Sequence, residues 1–103
     1  MKTPERDVLR ACLDYLNSKG YRSFFRVNNG AWKTERGGFV RSTNRKGVAD
    51  IIGVHNGRAY AIEVKSDTGR MSGDQTYFMD NWQSAGGVYV LARSVEDLIS
   101  EGL

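Results

Sequence analysis

Ala49-Asp50-Ile51-Ile52-Gly53-Val54-His55-Asn56-Gly57-Arg58-Ala59-Tyr60-Ala61-Ile62-Glu63-Val64-Lys65 is the stretch that decides the fold. Two aliphatic runs flank Asn56-Gly57, and Asn-Gly between such runs is the strongest short-range signal for a two-residue hairpin turn. The spacing predicts strands over Ala49–His55 and Arg58–Lys65. With Asn56 and Gly57 as the loop residues, His55 lies opposite Arg58, and counting back along both strands sets Asp50 directly opposite Glu63. Directly opposed residues share a face, with Cβ atoms roughly 4.5–5.5 Å apart. Lys65, two residues beyond Glu63, shares that face. Tyr60, Ile62 and Val64 point to the other side, an ordinary core surface. Ala59 and Ala61 leave room for a helix to pack close on the charged face. His55 reads as a turn-flanking residue rather than a catalytic one.

Two carboxylates held side by side repel each other unless something positive sits between them. A divalent cation answers that need. Mg²⁺ is held by one or two carboxylates, keeps several waters and leaves room for a phosphate oxygen, and the backbone carbonyl of Val64 offers a further ligand. Such an ion neutralises charge on a phosphate and makes water more acidic, while Lys65 positions or deprotonates the attacking water. The competing reading is a surface ion cluster bridged by Lys65, a pattern of little energetic worth when exposed.

Outward from the hairpin, Ser72 caps a helix predicted from about Gly73 to Ala85, with Phe78, Met79, Trp82 and Ala85 on its buried side and Gly86-Gly87 as its stop. Val88 to Ala92 is a continuous apolar strand, as expected for one covered on both faces. The strand, helix and strand from Arg58 onward form a βαβ crossover with parallel strands. Ser94 caps a short last helix through Leu98 and Ile99. Towards the N-terminus, Thr3 is the expected cap of a first helix, Pro4 suits its first position, and Glu5 and Asp7 sit near the positive end of its dipole. Val8, Leu9, Cys12, Leu13 and Leu16 form its apolar stripe, Gly20 ends it, and Cys12 reads as a packed thiol. Tyr21 to Val27 is predicted as a strand ending at Asn28-Asn29-Gly30. The order is helix, strand, strand, strand, helix, strand, helix: an α/β domain with a mixed sheet flanked by helices.

Between Ala31 and Gly47 lie Lys33, Arg36, Arg41, Arg45 and Lys46 against one acid, Glu35, interleaved with Trp32, Phe39, Gly37 and Gly38, with a short strand expected around Phe39–Arg41. Cations and aromatics on a glycine-rich segment are what a nucleic-acid backbone requires, although a solvated loop carries the same pattern. The chain has 103 residues, 40% of them hydrophobic and 26% charged, with net charge +3, which is the balance of one ordinary globular domain. No apolar run approaches the roughly 20 residues that span a bilayer, so no membrane association is expected. One cysteine forms no internal disulfide, one His with one Cys builds no structural zinc site, and no signal sequence is legible at the N-terminus. A reducing, intracellular compartment is the expectation.

The segments Gly47-Val48-Ala49-Asp50-Ile51-Ile52-Gly53, Ala61-Ile62-Glu63-Val64-Lys65, Gly69-Arg70-Met71-Ser72 with Gln75, and Ala85-Gly86-Gly87-Val88 together resemble the VRR-NUC family, a branch of the PD-(D/E)XK nuclease superfamily. The resemblance runs from Glu5 to about Leu98. It implies an αβββαβ core, matching the order above, and a Mg²⁺- or Mn²⁺-dependent DNA hydrolase leaving a 5′-phosphate and a 3′-hydroxyl. By that resemblance Asp50 and Glu63 are metal-binding acids, Lys65 is the catalytic lysine, and Gln75, on the second helix close to the site, is counted with it among the catalytic residues. Ser72 and Gln75 also form a capping box, so Gln75 has a structural role available as well. Glu5 resembles an acid that completes the metal site in related junction-resolving enzymes; as a helix-dipole acid it needs no such role. Ala49 stands where the superfamily name calls for proline. The basic segment acquires a purpose: Arg26, Asn28, Lys33, Arg41, Arg45 and Lys46, with Arg36 among them, are placed to hold phosphates, contacts that position DNA rather than read it. Small stand-alone members resemble homodimeric, structure-selective endonucleases of phages and bacteria, including Holliday-junction resolvases, which implies the cytoplasm of a bacterial or phage-infected cell. The rival enzyme reading is a restriction-type or end-processing nuclease, and the rival from another class is a DNA-binding module that does not cut.

Overall fold

The Asn56-Gly57 turn forms as the sequence predicts, with φ of 52° and 77° at its two residues. Two successive positive values define the hairpin turn whose twist matches its strands, and Asn tolerates that region better than any other residue with a side chain except Asp. A computed structural model of the protein describes residues 3–27, 31–33, 37, 39–41 and 45–103, and in the strands 31–33 and 39–41 only the backbone. Along the chain run α1 (Glu5–Ser18), β1 (Phe25–Arg26), β2 (Ala31–Lys33), β3 (Phe39–Arg41), β4 (Ile51–His55), β5 (Arg58–Val64), α2 (Gly73–Ser84), β6 (Val88–Ala92) and α3 (Val95–Ser100). Four strands form one mixed sheet in the order β1-β4-β5-β6. β1 and β4 are antiparallel, as are β4 and β5, whereas β5 and β6 are parallel. The pairing of His55 with Arg58 and of Ile51 with Ile62 is the register expected from the turn.

Alternation along β5 then splits the molecule. Tyr60, Ile62 and Val64, with Ile51, Val90 and Ala92, pack against Val8, Cys12 and Leu16 of α1, Leu98 of α3 and Leu103. Burial pushes the Cys12 thiol up to about 11, so it is an inert packed group, as expected. The opposite face is thinner: Ala49, Ala61 and Tyr89 lie beneath Met71, Phe78, Met79 and Trp82. The small alanines bring α2 close to the sheet, and that closeness builds the site described below.

Several elements depart from the sequence reading. Tyr21 to Val27 is a strand only at Phe25–Arg26, because the Tyr21 amide still donates to the Leu16 carbonyl at 3.1 Å and the chain turns again at Phe24. Thr3 does not cap α1; Pro4 is the N-cap, and its carbonyl accepts from the amides of Asp7 and Val8. Ser94 makes no side-chain cap on α3, where the Asp97 carboxylate instead accepts from the Arg93 amide at 2.8 Å. Ala85 is exposed rather than buried, since it is the C-cap of α2, and Gly86 at φ 97° turns the chain away from it. The basic segment holds a second strand that periodicity did not reveal: β2 pairs antiparallel with β3 in a separate two-stranded sheet. Among the described residues, no helix is long and apolar enough to cross a membrane.

Candidate functional site

Four side chains meet where the β4–β5 ladder ends. Asp50 immediately precedes β4, Glu63 is the penultimate residue of β5, Lys65 follows β5, and Gln75 is the third residue of α2. Asp50 closes the ladder with its side chain, its Oδ2 accepting from the Val64 amide at 2.8 Å, while its carbonyl accepts from the Val27 amide. Its carboxylate is thereby fixed beside Glu63, the neighbourhood the hairpin register predicts. Gln75 joins the helix to the pair. Its Oε1 accepts from the Ser72 amide at 2.9 Å, its own amide donates to the Ser72 hydroxyl at 3.2 Å, and its Nε2 donates to Glu63 Oε2 at 3.1 Å. Gln75 therefore closes the capping box, as its spacing predicts, and also hydrogen-bonds Glu63.

Glu63 is the only buried polar or charged residue among those described, 2% exposed. Its Oε2 has Gln75 and, at 3.7 Å, the Lys65 ammonium; its Oε1 is buried with no hydrogen-bond partner among the described residues. Loss of solvent first, then the charge of Asp50, push the Glu63 carboxyl up to about 8, with a hydrogen bond that only the neutral form shares with Asp50 adding to the rise. Lys65 pulls the other way, too weakly to compensate. Between two ionised carboxylates there is no donor. The gap must hold a proton or a cation.

Lys65 has a side chain 12% exposed, and its ammonium lies 4.0 Å from Glu5, whose own side chain is 54% exposed. Its stem runs beside Gly69, where even a Cβ would come within 3.3 Å of Lys65 Cδ. Glu5 is thus stationed against the lysine, and its charge also reaches Glu63, adding to the rise of that carboxyl. Among the described residues no group of three or more His, Cys, Asp and Glu is gathered to hold a metal. A pair of carboxylates still fits a hard divalent ion that draws its remaining ligands from carbonyls, water and substrate. The unpartnered Glu63 oxygen is the observation that favours such an occupant.

Tyr89 was missed in the sequence. It pairs with Ala61 on the face shared with Glu63, is 8% exposed, and its hydroxyl is buried with no partner among the described residues. Burial, and after it the charges of Glu63 and Asp50, raise its hydroxyl well above the usual tyrosine range. A tyrosine inside the apolar run Val88 to Ala92 was the available signal, because a buried phenol ordinarily finds a hydrogen-bond partner.

The expected phosphate-binding residues divide. Arg26 is exposed on β1 and shares an open cleft with Arg6, Arg10 and Asp14 of α1, two arginines the sequence reading left aside. Arg45 and Lys46 are exposed beside the first turn of α2. Lys33 and Arg41 lie on β2 and β3, with side chains outside the description, and Asn28 and Arg36 fall outside the described residues. Gly47 is what brings the basic segment onto the helix. At φ 76° a Cβ would run into the Asp74 backbone and come within 2.6 Å of the Gln75 amide. Gly47→Ala is expected to cost at least about 1–2 kcal/mol from the backbone alone. It should also push away the turn that carries Gln75, lowering the melting temperature by several degrees. An unchanged thermal melt would remove this account of the contact.

No family model, curated protein or solved structure matches this chain.

Proposed function

We propose that this protein is a divalent-metal-dependent nuclease hydrolysing DNA phosphodiester bonds, built on the αβββαβ core of the PD-(D/E)XK nucleases and of VRR-NUC type. The observation that carries the reading is a buried Glu63 oxygen that, once both acids are ionised, has no donor among the described residues, with the Asp50 charge close by. Mg²⁺ or Mn²⁺, held by Asp50 and Glu63 with the Val64 carbonyl, would supply charge neutralisation at the phosphate and a more acidic water. The chain's own groups do the rest. Gln75 fixes the rotamer of Glu63 through Oε2 and leaves Oε1 for the ligand. The Lys65 ammonium, restrained between Glu63 and Glu5, orients the attacking water and offsets charge that grows on the phosphate. The water oxygen bonds to phosphorus as the bond to O3′ breaks, and the proton water loses ends on the 3′-hydroxyl, leaving a 5′-phosphate. Arg26, Arg45 and Lys46, with Asn28, Lys33, Arg36 and Arg41 of the basic segment, hold flanking phosphates.

A homodimer acting on branched DNA, including four-way junctions, in the cytoplasm of a bacterial or phage-infected cell is the biological form we infer, since two sites related by a two-fold cut two strands symmetrically. The test is a cleavage panel in Mg²⁺ and Mn²⁺ over linear duplex, flap and four-way junction substrates, beside a sizing column. Cutting of branched DNA by a dimer is expected. Preference for linear duplex ends would replace the resolvase reading with end processing. Binding without any cutting would leave a DNA-binding module.

A further inference from the structure

One turn beyond Gln75, α2 carries a feature that the hydrolytic site does not use. Asp74, Tyr77, Phe78, Asn81 and Trp82 recur at helical spacing, and with Arg45 and Lys46 they line an open groove of about 500 Å³. Phe78 and Trp82 stack at 5.6 Å with their rings 20° apart, giving the groove an apolar floor. Tyr77, at 71%, is the most exposed of the large apolar side chains described. The Asn81 amide nitrogen donates to the Tyr77 carbonyl at 2.9 Å, so its oxygen remains an acceptor alongside the Asp74 carboxylate. Two cations border the groove and acceptors stand within it. Aromatic surface for a flat ring, edge acceptors for ring amino groups and cations for the backbone are the recognition chemistry of an unstacked nucleotide. The groove begins at Asp74, the chain neighbour of Gln75. Arg45 and Lys46 lead directly into Gly47, which abuts Asp74 and Gln75, and Asn81 lies roughly 9 Å along the helix axis from Gln75.

We propose that this groove receives the base of an unpaired nucleotide adjoining the phosphate held at Asp50 and Glu63, with Tyr77 as the stacking residue. The placement of that phosphate rests on the nuclease reading; the base groove itself does not. A continuous duplex keeps its bases stacked inside and cannot fill the groove without flipping one out. Single strands, flaps and frayed ends present a free base. The structural preference of the protein therefore originates in α2 rather than in the acids.

Binding is measured by fluorescence anisotropy in chelator, so that no cleavage intrudes, with a short single-stranded oligonucleotide, the blunt duplex of the same sequence, and a single strand made of abasic residues. Tyr77→Ala should weaken single-strand binding roughly tenfold, as the loss of one base–aromatic stack does. It should leave the blunt duplex and the abasic strand unaffected. Tyr77→Phe keeps the ring and should bind as the wild type does. The proposal is overturned if the wild type does not hold the single strand, or if Tyr77→Ala binds it equally well. It is also overturned if Tyr77→Ala changes the elution volume on a sizing column, because the groove would then seat a second copy of this chain. The same proteins are assayed for cutting in Mn²⁺. Cutting with unaltered substrate preference in Tyr77→Ala overturns the groove and leaves the nuclease standing. No cutting by any form, with the Tyr77 dependence of binding intact, removes the nuclease and leaves the groove.

Discussion

Lys65→Ala is expected to slow DNA cleavage by roughly 10²–10³-fold, the range for losing one preorganised group that stabilises charge in the transition state. DNA binding and fold should stay close to wild type. The ammonium is mostly enclosed, 3.7 Å from Glu63 and 4.0 Å from Glu5, and both separations are long for hydrogen bonds. Lys65 is therefore held loosely in charge terms and firmly by its stem, which Gly69 flanks. That suits a group whose partner arrives with the substrate. Lys65→Arg should not rescue the rate, because a planar guanidinium does not fit the space of a compact ammonium or place its charge at the same point. Single-turnover cleavage in Mn²⁺ and anisotropy in chelator separate the two effects. A surface ion cluster predicts the reverse pattern, a small change in melting temperature and an unaltered rate, and that result would end the catalytic assignment.

What the sequence disclosed follows from how local each signal was. The Asn56-Gly57 turn fixes register by itself, since slipping β5 by one residue against β4 would turn Ile62 outward and Glu63 into the apolar core. Placement of Asp50 beside Glu63 was accordingly legible. So was the double role of Gln75, because Ser72 and Gln75 at capping-box spacing put that side chain at the start of a helix that must cross the sheet near β5. The short β1 was not legible: Tyr21 and Phe24 carry strand-like side chains, yet the Tyr21 amide is bound to the helix that precedes it. Burial on α2 was overread for a related reason. Its apolar residues rest on a face narrowed by Ala49 and Ala61, and none is fully covered. Periodicity also could not tell that Ala31–Lys33 pairs with Phe39–Arg41, since β2 and β3 are only three residues each. Tyr89 needed the third dimension. Its relation to Glu63 depends on the parallel register of β5 with β6, which no turn specifies.

The carboxyl of Glu63 gives the second large effect, and it requires no nucleic acid. In chelator, the melting temperature of the protein should fall as pH rises from about 4.5 to about 8. The unfolded chain releases this proton near 4.5, whereas the folded chain keeps it until about 8. Across that window the native state binds more protons than the unfolded state, so stability declines with pH and levels off once both forms are ionised. One proton accounts for at most about 1.4 kcal/mol per pH unit. For a domain of this size that is roughly 5–10 °C per unit at the steepest. Glu63→Gln keeps the shape and the Gln75 contact but carries no charge, so subtracting its profile from the wild type isolates this group. A divalent cation should reverse the trend. Below the window the ion must displace a proton, and above it the site is already bare, so the stabilisation by Mg²⁺ or Mn²⁺ grows with pH. Glu63→Gln should gain little from either ion. Parallel wild-type and Glu63→Gln profiles in chelator would show that the carboxyl is not held neutral by its burial beside Asp50. Equal cation gains for the two proteins would show that the ion does not bind between these acids.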